Sequence, residues 1–217
     1  MQKVKLATKN EIKKIKNILL QHYPNSVTEL NYKNLYELLV AVMLSAQCTD
    51  KRVNIITPAL FEKYPTIDDL ANANIEELKE IIKSCSFFNN KAKNLINMAK
   101  MVKEEFGGSI PLTQKELIKL PGVGQKTANV VLIEYSGKNL MAVDTHVFRV
   151  AHRLGLSSAK TAAETEKDLA SKFEDNLNRL HQAMVLFGRY ICRAKSPKCE
   201  ECILKEFCKT KESFKAK

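Results

Sequence analysis

Apolar residues recur at three- and four-residue steps along most of the chain, the period of a helix with one buried face. Ile12, Ile15, Ile18 and Leu19 make one such face, and Leu35, Leu38, Leu39, Val42 and Met43 a second. Leu95, Met98, Val102 and Phe106 make a third, which Gly107 and Gly108 bring to a stop. Several helix starts carry a capping signal, a hydroxyl or amide side chain three residues before a glutamate. These are Thr8 with Glu11, Thr113 with Glu116, Thr161 with Glu164, and Asn74 with Glu77 as a variant. Further helices are expected over residues 50–64, 75–83, 144–154 and 176–192. No segment sustains strand alternation, and the β-branched run from Val130 to Ile133 continues a helical pattern. The chain is therefore expected to be all-α, with a polar, frayed tail after Cys208.

Composition narrows this only a little. A chain of 217 residues can bury one large core or two small ones, and 45% hydrophobic content is ordinary for a globular protein. The longest apolar run, residues 38–44, is too short to span a bilayer, so no membrane role is expected. Residues 1–10 hold no apolar signal segment or cleavage site, which predicts a cytoplasmic protein with reduced thiols. Lys and Arg number 35 against 24 acidic residues, a net charge of +11. Neutralising phosphates is the commonest use of such an excess. Lysines spread along the whole chain, however, also serve plain solubility.

Four of the six cysteines change the picture. Cys192, Cys199, Cys202 and Cys208 have the spacing C-x6-C-x2-C-x5-C. Disulfides do not suit reduced thiols, and four-cysteine zinc sites are usually built from two separated C-x2-4-C knuckles, of which only Cys199 and Cys202 supply one. A [4Fe-4S] cluster fits this run best. Cys48 and Cys85 lie far away in apolar contexts and read as small buried hydrophobes.

A second informative run is LIKLPGVGQKTANVV, residues 117–131. A helix is expected from Thr113 to Leu120, where Pro121 cannot extend it for want of an amide hydrogen. Gly122 and Gly124 are expected to take backbone angles that side chains forbid, with a second helix starting near Gln125. This helix–hairpin–helix leaves bare N–H groups at a helix N-terminus, where a phosphate can bind. A P-loop is excluded: the loop is too short, Gln125 separates Gly124 from Lys126, and a helix rather than a strand precedes it. Lys126 sits in the first turn, where the positive end of the helix dipole disfavours an ammonium. Two roles stay open for it, an amine nucleophile or a phosphate-binding cation.

In MAVDTHVFRVAHRLG, residues 141–155, Asp144 stands at a helix start and reads first as an N-cap. Arg149 and Arg153 share a helix face that would meet phosphates or water. His146, His152 and His181 show no metal-ligand spacing and read as structural or solvated.

Taken together, LPGVGQKTANVV, AVDTHVFRV, GRYIC and the cysteine run closely resemble the endonuclease III family of DNA repair glycosylases. LLVAVMLSAQCTD and FFNNKAKNL share the resemblance, which covers roughly residues 10–208. It implies two helical lobes flanking a DNA-binding cleft. One is a six-helix barrel over residues 28–138 with the helix–hairpin–helix at about 113–133. The other joins residues 1–27 to 139–217 and carries the cluster at 192–208. The resemblance further implies a monomeric enzyme that excises oxidised pyrimidines from double-stranded DNA and cuts 3′ to the abasic site. Lys126 takes the place of the nucleophilic lysine and Asp144 that of the catalytic aspartate. Gln47 falls where the family fills the gap left by a flipped base, and Phe87 near its intercalating wedge. Cys192, Cys199, Cys202 and Cys208 match the cluster ligands. Gly122, Gly124, Arg149, Arg193, Lys195 and Lys198 are expected to meet DNA, the last three from the short loop RAKSPK.

Three other readings compete. A related adenine glycosylase shares the cluster and hairpin, but Lys126 and the chain's end soon after Cys208 argue against it. A ferredoxin-like electron carrier leaves the hairpin and Lys126 unexplained. A non-catalytic DNA-binding module would form no covalent adduct with its target.

Overall fold

A computed structural model describes residues 5–210. Among them stand eleven α-helices and two 3₁₀ turns, with no strand, as the apolar period predicts. None of these helices is long and apolar enough to cross a membrane. The chain divides into two compact units, one formed by Glu29–Ser136 and the other by its two ends, up to Thr28 and from Gly137.

The central unit holds α2 (Leu35–Ser45), α3 (Asp50–Lys63), α4 (Ile67–Ala71), α5 (Ile75–Ile82), α6 (Phe88–Phe106), α7 (Gln114–Leu117) and α8 (Gln125–Ser136). Helix α2 is buried on every side from Tyr36 to Leu44, not only on the face read from the sequence. The reason is its neighbours: α3, α6 and α8 all pack against it, so Val40 and Ala41 are as buried as Leu38. Helix α6 buries its expected stripe of Leu95, Met98 and Val102. Gly107 ends it in the left-handed region at φ 59°, and the Gly108 amide closes on the Val102 carbonyl at 2.9 Å.

Helix α7 is shorter than expected, one turn ending at Leu117 rather than a helix to Leu120. The chain tightens ahead of Pro121. Lys119 N–H bonds the Glu116 carbonyl at 3.0 Å and Leu120 N–H the Leu117 carbonyl at 3.1 Å, a three-residue spacing in place of four.

The terminal unit holds α1 (Lys9–His22), α9 (Thr145–Arg153), α10 (Ala162–Phe173) and α11 (Leu177–Tyr190), followed by 3₁₀ turns at Cys199–Glu201 and Lys205–Phe207. Thr8 and Glu11 form the expected capping box, as do Thr161 and Glu164. Ile15 and Leu19 of α1 share a core with Val147 and Val150 of α9 and with Leu180, Met184 and Phe187 of α11. Leu204 and Phe207 enter the same core, so the cysteine-rich segment is anchored by the apolar residue just before its second 3₁₀ turn and the one that ends it. Helix α11 stops at Tyr190, two residues short of Cys192. The Ile191 and Cys192 amides both turn back onto the Phe187 carbonyl, at 3.0 and 2.8 Å.

Candidate functional site

In the central unit, the hairpin between α7 and α8 packs on α6. Gly122 adopts φ 79°, and a Cβ there would lie 2.8 Å from the Asn94 side chain, so two independent constraints require glycine. Gly124 differs from expectation. Its φ is not positive, and a Cβ built on it meets no protein atom within 4 Å. Nothing inside the fold demands glycine there; the open space faces outward. The Gly124 carbonyl accepts the Ala128 N–H at 2.9 Å, making Gly124 the residue that opens α8. Buried Asn129 accepts a hydrogen bond from Gln114 and ties the two hairpin helices together. Lys126 is exposed in the first turn of α8, beside amides that have no intrahelical partner.

Two more sequence-derived residues project from the same unit. Gln47 and Phe87 both hold left-handed backbone angles, φ 54° and 58°, without being glycine. For a bulky residue such as Phe this is an outlier of the kind that concentrates at functional positions. Phe87 is 62% exposed. Between the two loops lies Lys91, a buried lysine that sequence reasoning did not single out. Its Nζ donates to the Leu44 and Ala46 carbonyls at 2.8 and 2.7 Å, and its N–H to the Phe87 carbonyl at 3.0 Å. Its signal was present: Lys91 stands four and seven residues before Leu95 and Met98, on the buried stripe of α6.

In the terminal unit, Asp144 is the N-cap of α9. One oxygen, Oδ1, accepts both the His146 and Val147 amides at 2.8 Å each. The carboxylate is half-buried and fixed in orientation by these bonds. Arg149 and Arg153 are partly buried and turn their guanidinium groups onto backbone carbonyls. Arg149 donates to the carbonyls of Cys192 (2.9 Å), Gly188 (2.7 Å) and Thr145 (3.3 Å). It also lies 3.1 Å from His146 Nδ1. Since a guanidinium only donates, that nitrogen is the acceptor and the imidazole is neutral. Burial, the largest influence, pushes the His146 pKa down in the same sense. Arg153 donates to the Arg193 carbonyl at 2.7 Å and to the Cys192 Sγ at 3.3 Å. Both arginines are struts that join α9 to the start of the cysteine loop.

The loop cations are exposed, but two of the three have partners. Arg193 folds back onto the Ser196 carbonyl at 2.8 Å, Lys198 pairs with Glu201 at 3.2 Å, and Lys195 points into solvent.

Cys192, Cys199, Cys202 and Cys208 are free thiols, each half-buried. Burial raises the Cys202 thiol, and Cys192, Cys208 and Cys199 lie near enough to add to this through charge. Among the described residues, no three His, Cys, Asp or Glu side chains are placed to hold a single metal ion. The two observations are compatible with a cubane. It gives each thiolate an iron of its own, so its ligands stand further apart than four ligands to one zinc. The donor set, all sulfur and with no carboxylate or imidazole among it, suits iron–sulfur chemistry.

Comparison with known proteins adds the following. The HhH-GPD superfamily of base excision DNA repair proteins matches residues 40–175, and the iron–sulfur binding domain of endonuclease III matches residues 192–208. Endonuclease III of Rickettsia felis is 48% identical over 198 residues, covering 91% of this chain and 93% of the relative. Endonuclease III of Bacillus subtilis is 46% identical over 189 residues, covering 86% of each. A solved structure of a trapped endonuclease III–DNA covalent intermediate has a TM-score of 0.90 at 41% identity, covering 96% of this chain and 99% of that one. The cofactor is accordingly a [4Fe-4S] cluster. With matches running from α2 through α10 and resuming at the cysteine loop, the chain belongs to the endonuclease III family of the HhH-GPD superfamily.

Proposed function

We propose that Lys126 is the nucleophile with which this enzyme removes oxidised pyrimidines from double-stranded DNA, and that Asp144 assists it. Family membership makes the chain a base-excision repair enzyme, a DNA N-glycosylase with AP lyase activity. The observation that carries the residue assignment is the placement of Lys126, exposed in the first turn behind a glycine hairpin whose outer face is open to a phosphate.

The target sugar is unreachable in a stacked duplex, so the nucleotide must be extruded at a cost of a few kcal/mol, least for a damaged base. Hydrogen bonds to charged groups contribute about 1.5–3 kcal/mol each, so two or three phosphate contacts offset that cost. The Lys126 amine then attacks C1′, the glycosidic bond breaks and the base leaves. A protonated Schiff base remains between Nζ and the opened sugar, and loss of a C2′ proton expels the 3′ phosphate. Asp144 stabilises the positive charge that develops on the sugar and takes part in deprotonating Lys126. Gln47 and Phe87 fill the duplex where the nucleotide has left; their strained, outward backbone supports this reading. Cys192, Cys199, Cys202 and Cys208 hold the cluster, which cross-links the C-terminal loop when bound. With every cysteine of the run used as a ligand, no protein position is left open for catalysis.

The test is base release and strand cutting by the holoenzyme on three duplexes, carrying thymine glycol, an abasic site, or adenine opposite an oxidised guanine. Release and a 3′ nick on the first, and a nick on the second, are expected. Adenine release without a borohydride-trapped adduct would instead mark the adenine-glycosylase reading, and binding without any adduct a non-catalytic module.

Gly122→Ala is expected to lower folding stability by roughly 1–3 kcal/mol, from strain at positive φ and contact with Asn94. Gly124→Ala should change stability by no more than about 1 kcal/mol. It should nevertheless weaken binding of an abasic duplex about tenfold or more, since its Cβ stands where the phosphate approaches. Thermal melts paired with binding titrations separate the two. In the cysteine loop, Lys195 is the cation best placed to reach a phosphate. Lys195→Ala should reduce the slope of log Kobs against log salt by about 0.9. An unchanged slope would leave the loop with a structural role only.

A further inference from the structure

The two cysteines outside the cluster are not isolated in the core. Cys48 and Cys85 are 37 residues apart in sequence, yet their sulfurs lie 3.6 Å apart. Cys48 directly follows Gln47 in the loop after α2, and Cys85 stands two residues before Phe87 in the turn between α5 and α6. The thiol pair therefore joins the two segments that carry the left-handed, outward residues. Cys48 is half-buried and Cys85 is only 3% exposed. Burial and the neighbouring Cys48 raise the Cys85 thiol, and the nearby cations Lys91 and Arg52 offset this only in part.

We propose that Cys48 and Cys85 form a reversible intramolecular disulfide that switches lesion binding off by displacing the Gln47 and Phe87 loops. The oxidant is a low-molecular-weight disulfide. The Cys48 thiolate attacks one of its sulfurs, a mixed disulfide forms, and one small thiol leaves. Cys85 then gives its proton to solvent and attacks the Cys48 sulfur, expelling the second small thiol. Two protein S–H groups become one S–S bond, and the oxidant is reduced to two thiols. Cys48 is the entry point because reagent can reach it. Cys85 is the resolving thiol: burial, then contact with Cys48, pushes it up to about 11, so ring closure quickens as pH rises.

Bond formation brings the sulfurs from 3.6 Å to about 2.05 Å. Both loops are also tied to Lys91, the first by its Nζ on the Leu44 and Ala46 carbonyls and the second by its amide on the Phe87 carbonyl. Rotation of the two cysteine side chains takes up part of that approach and the short segments bearing Gln47 and Phe87 the rest, and a shift of order 1 Å there is enough to spoil a fit of side chains into DNA. The regulatory effect rests on the DNA-wedge reading of those two residues; the disulfide itself does not.

The experiment incubates the cluster-loaded enzyme anaerobically in oxidised and reduced glutathione buffers. Cysteine pairing is read by non-reducing peptide mass spectrometry, cluster retention by visible absorption, and affinity on a duplex with an uncleavable abasic site. A Cys48–Cys85 linked peptide is expected. Affinity should fall roughly tenfold or more, with cluster absorption intact and full recovery on adding a dithiol. Cys48→Ser should show no response. Thiols that stay free, or carry only glutathione, overturn the inference, as does an equal response in Cys48→Ser. A linked peptide with unchanged affinity overturns the switch. Phe87→Ala in reducing buffer then tells whether the wedge reading falls with it: weaker binding by this variant keeps that reading, unchanged binding removes it.

Discussion

Lys126→Ala is expected to abolish the borohydride-trapped adduct on a thymine glycol duplex and to lower strand cutting at least about 10⁴-fold. The size follows from the chemistry. β-Elimination runs through an imine, and only an amine can make one; neither a carboxylate nor water substitutes. Folding should be untouched, since Lys126 is exposed in the first turn of α8 and alanine is a good helix former. Binding to an uncleavable abasic duplex should fall far less than turnover. That split separates the two roles the residue type leaves open, because a mere phosphate-binding lysine would lose affinity and keep its adduct.

Asp144→Asn carries the second large effect, and the cap geometry makes it a clean substitution. Both amides of the cap, His146 and Val147, converge on Oδ1. The amide oxygen of asparagine can accept the same pair, and the two residues cap helices about equally well, so stability should move by less than about 0.5 kcal/mol. What disappears is the negative charge. Glycosylase turnover is therefore expected to drop about 10²- to 10⁴-fold, measured under single-turnover conditions beside a urea melt. Turnover that survives in a normally folded variant would reduce Asp144 to a helix cap.

Local signals carried the helical fold a long way. Thr8 with Glu11 and Thr161 with Glu164 mark starts that the structure keeps to the residue, because capping is decided within a single turn. Thr66 with Asp69 forms a capping box too, one hidden from a search for glutamate at the third position. What a one-dimensional period cannot report is how many neighbours a helix has. Residues Val40 and Ala41 of α2 are therefore buried outside the expected stripe. The hairpin is legible at Gly122, where the backbone angle requires glycine, and not at Gly124, where the fold itself makes no such demand. The period puts Arg149 and Arg153 on one outward face; carbonyl acceptors supplied by Gly188, Cys192 and Arg193, some forty residues on, draw their guanidinium groups onto the backbone. The proximity of Cys48 to Cys85 is likewise a product of tertiary packing, with no signature in either segment.

The central claim is that Lys126 bonds covalently to the lesion sugar. The most direct measurement reduces the wild-type complex on a thymine glycol duplex with borohydride, digests both components, and maps the modified peptide by mass spectrometry. The account predicts a single reduced sugar adduct on the Nζ of Lys126, in the peptide that begins after Lys119. An adduct on any other lysine, or on the N-terminal amine, would contradict it.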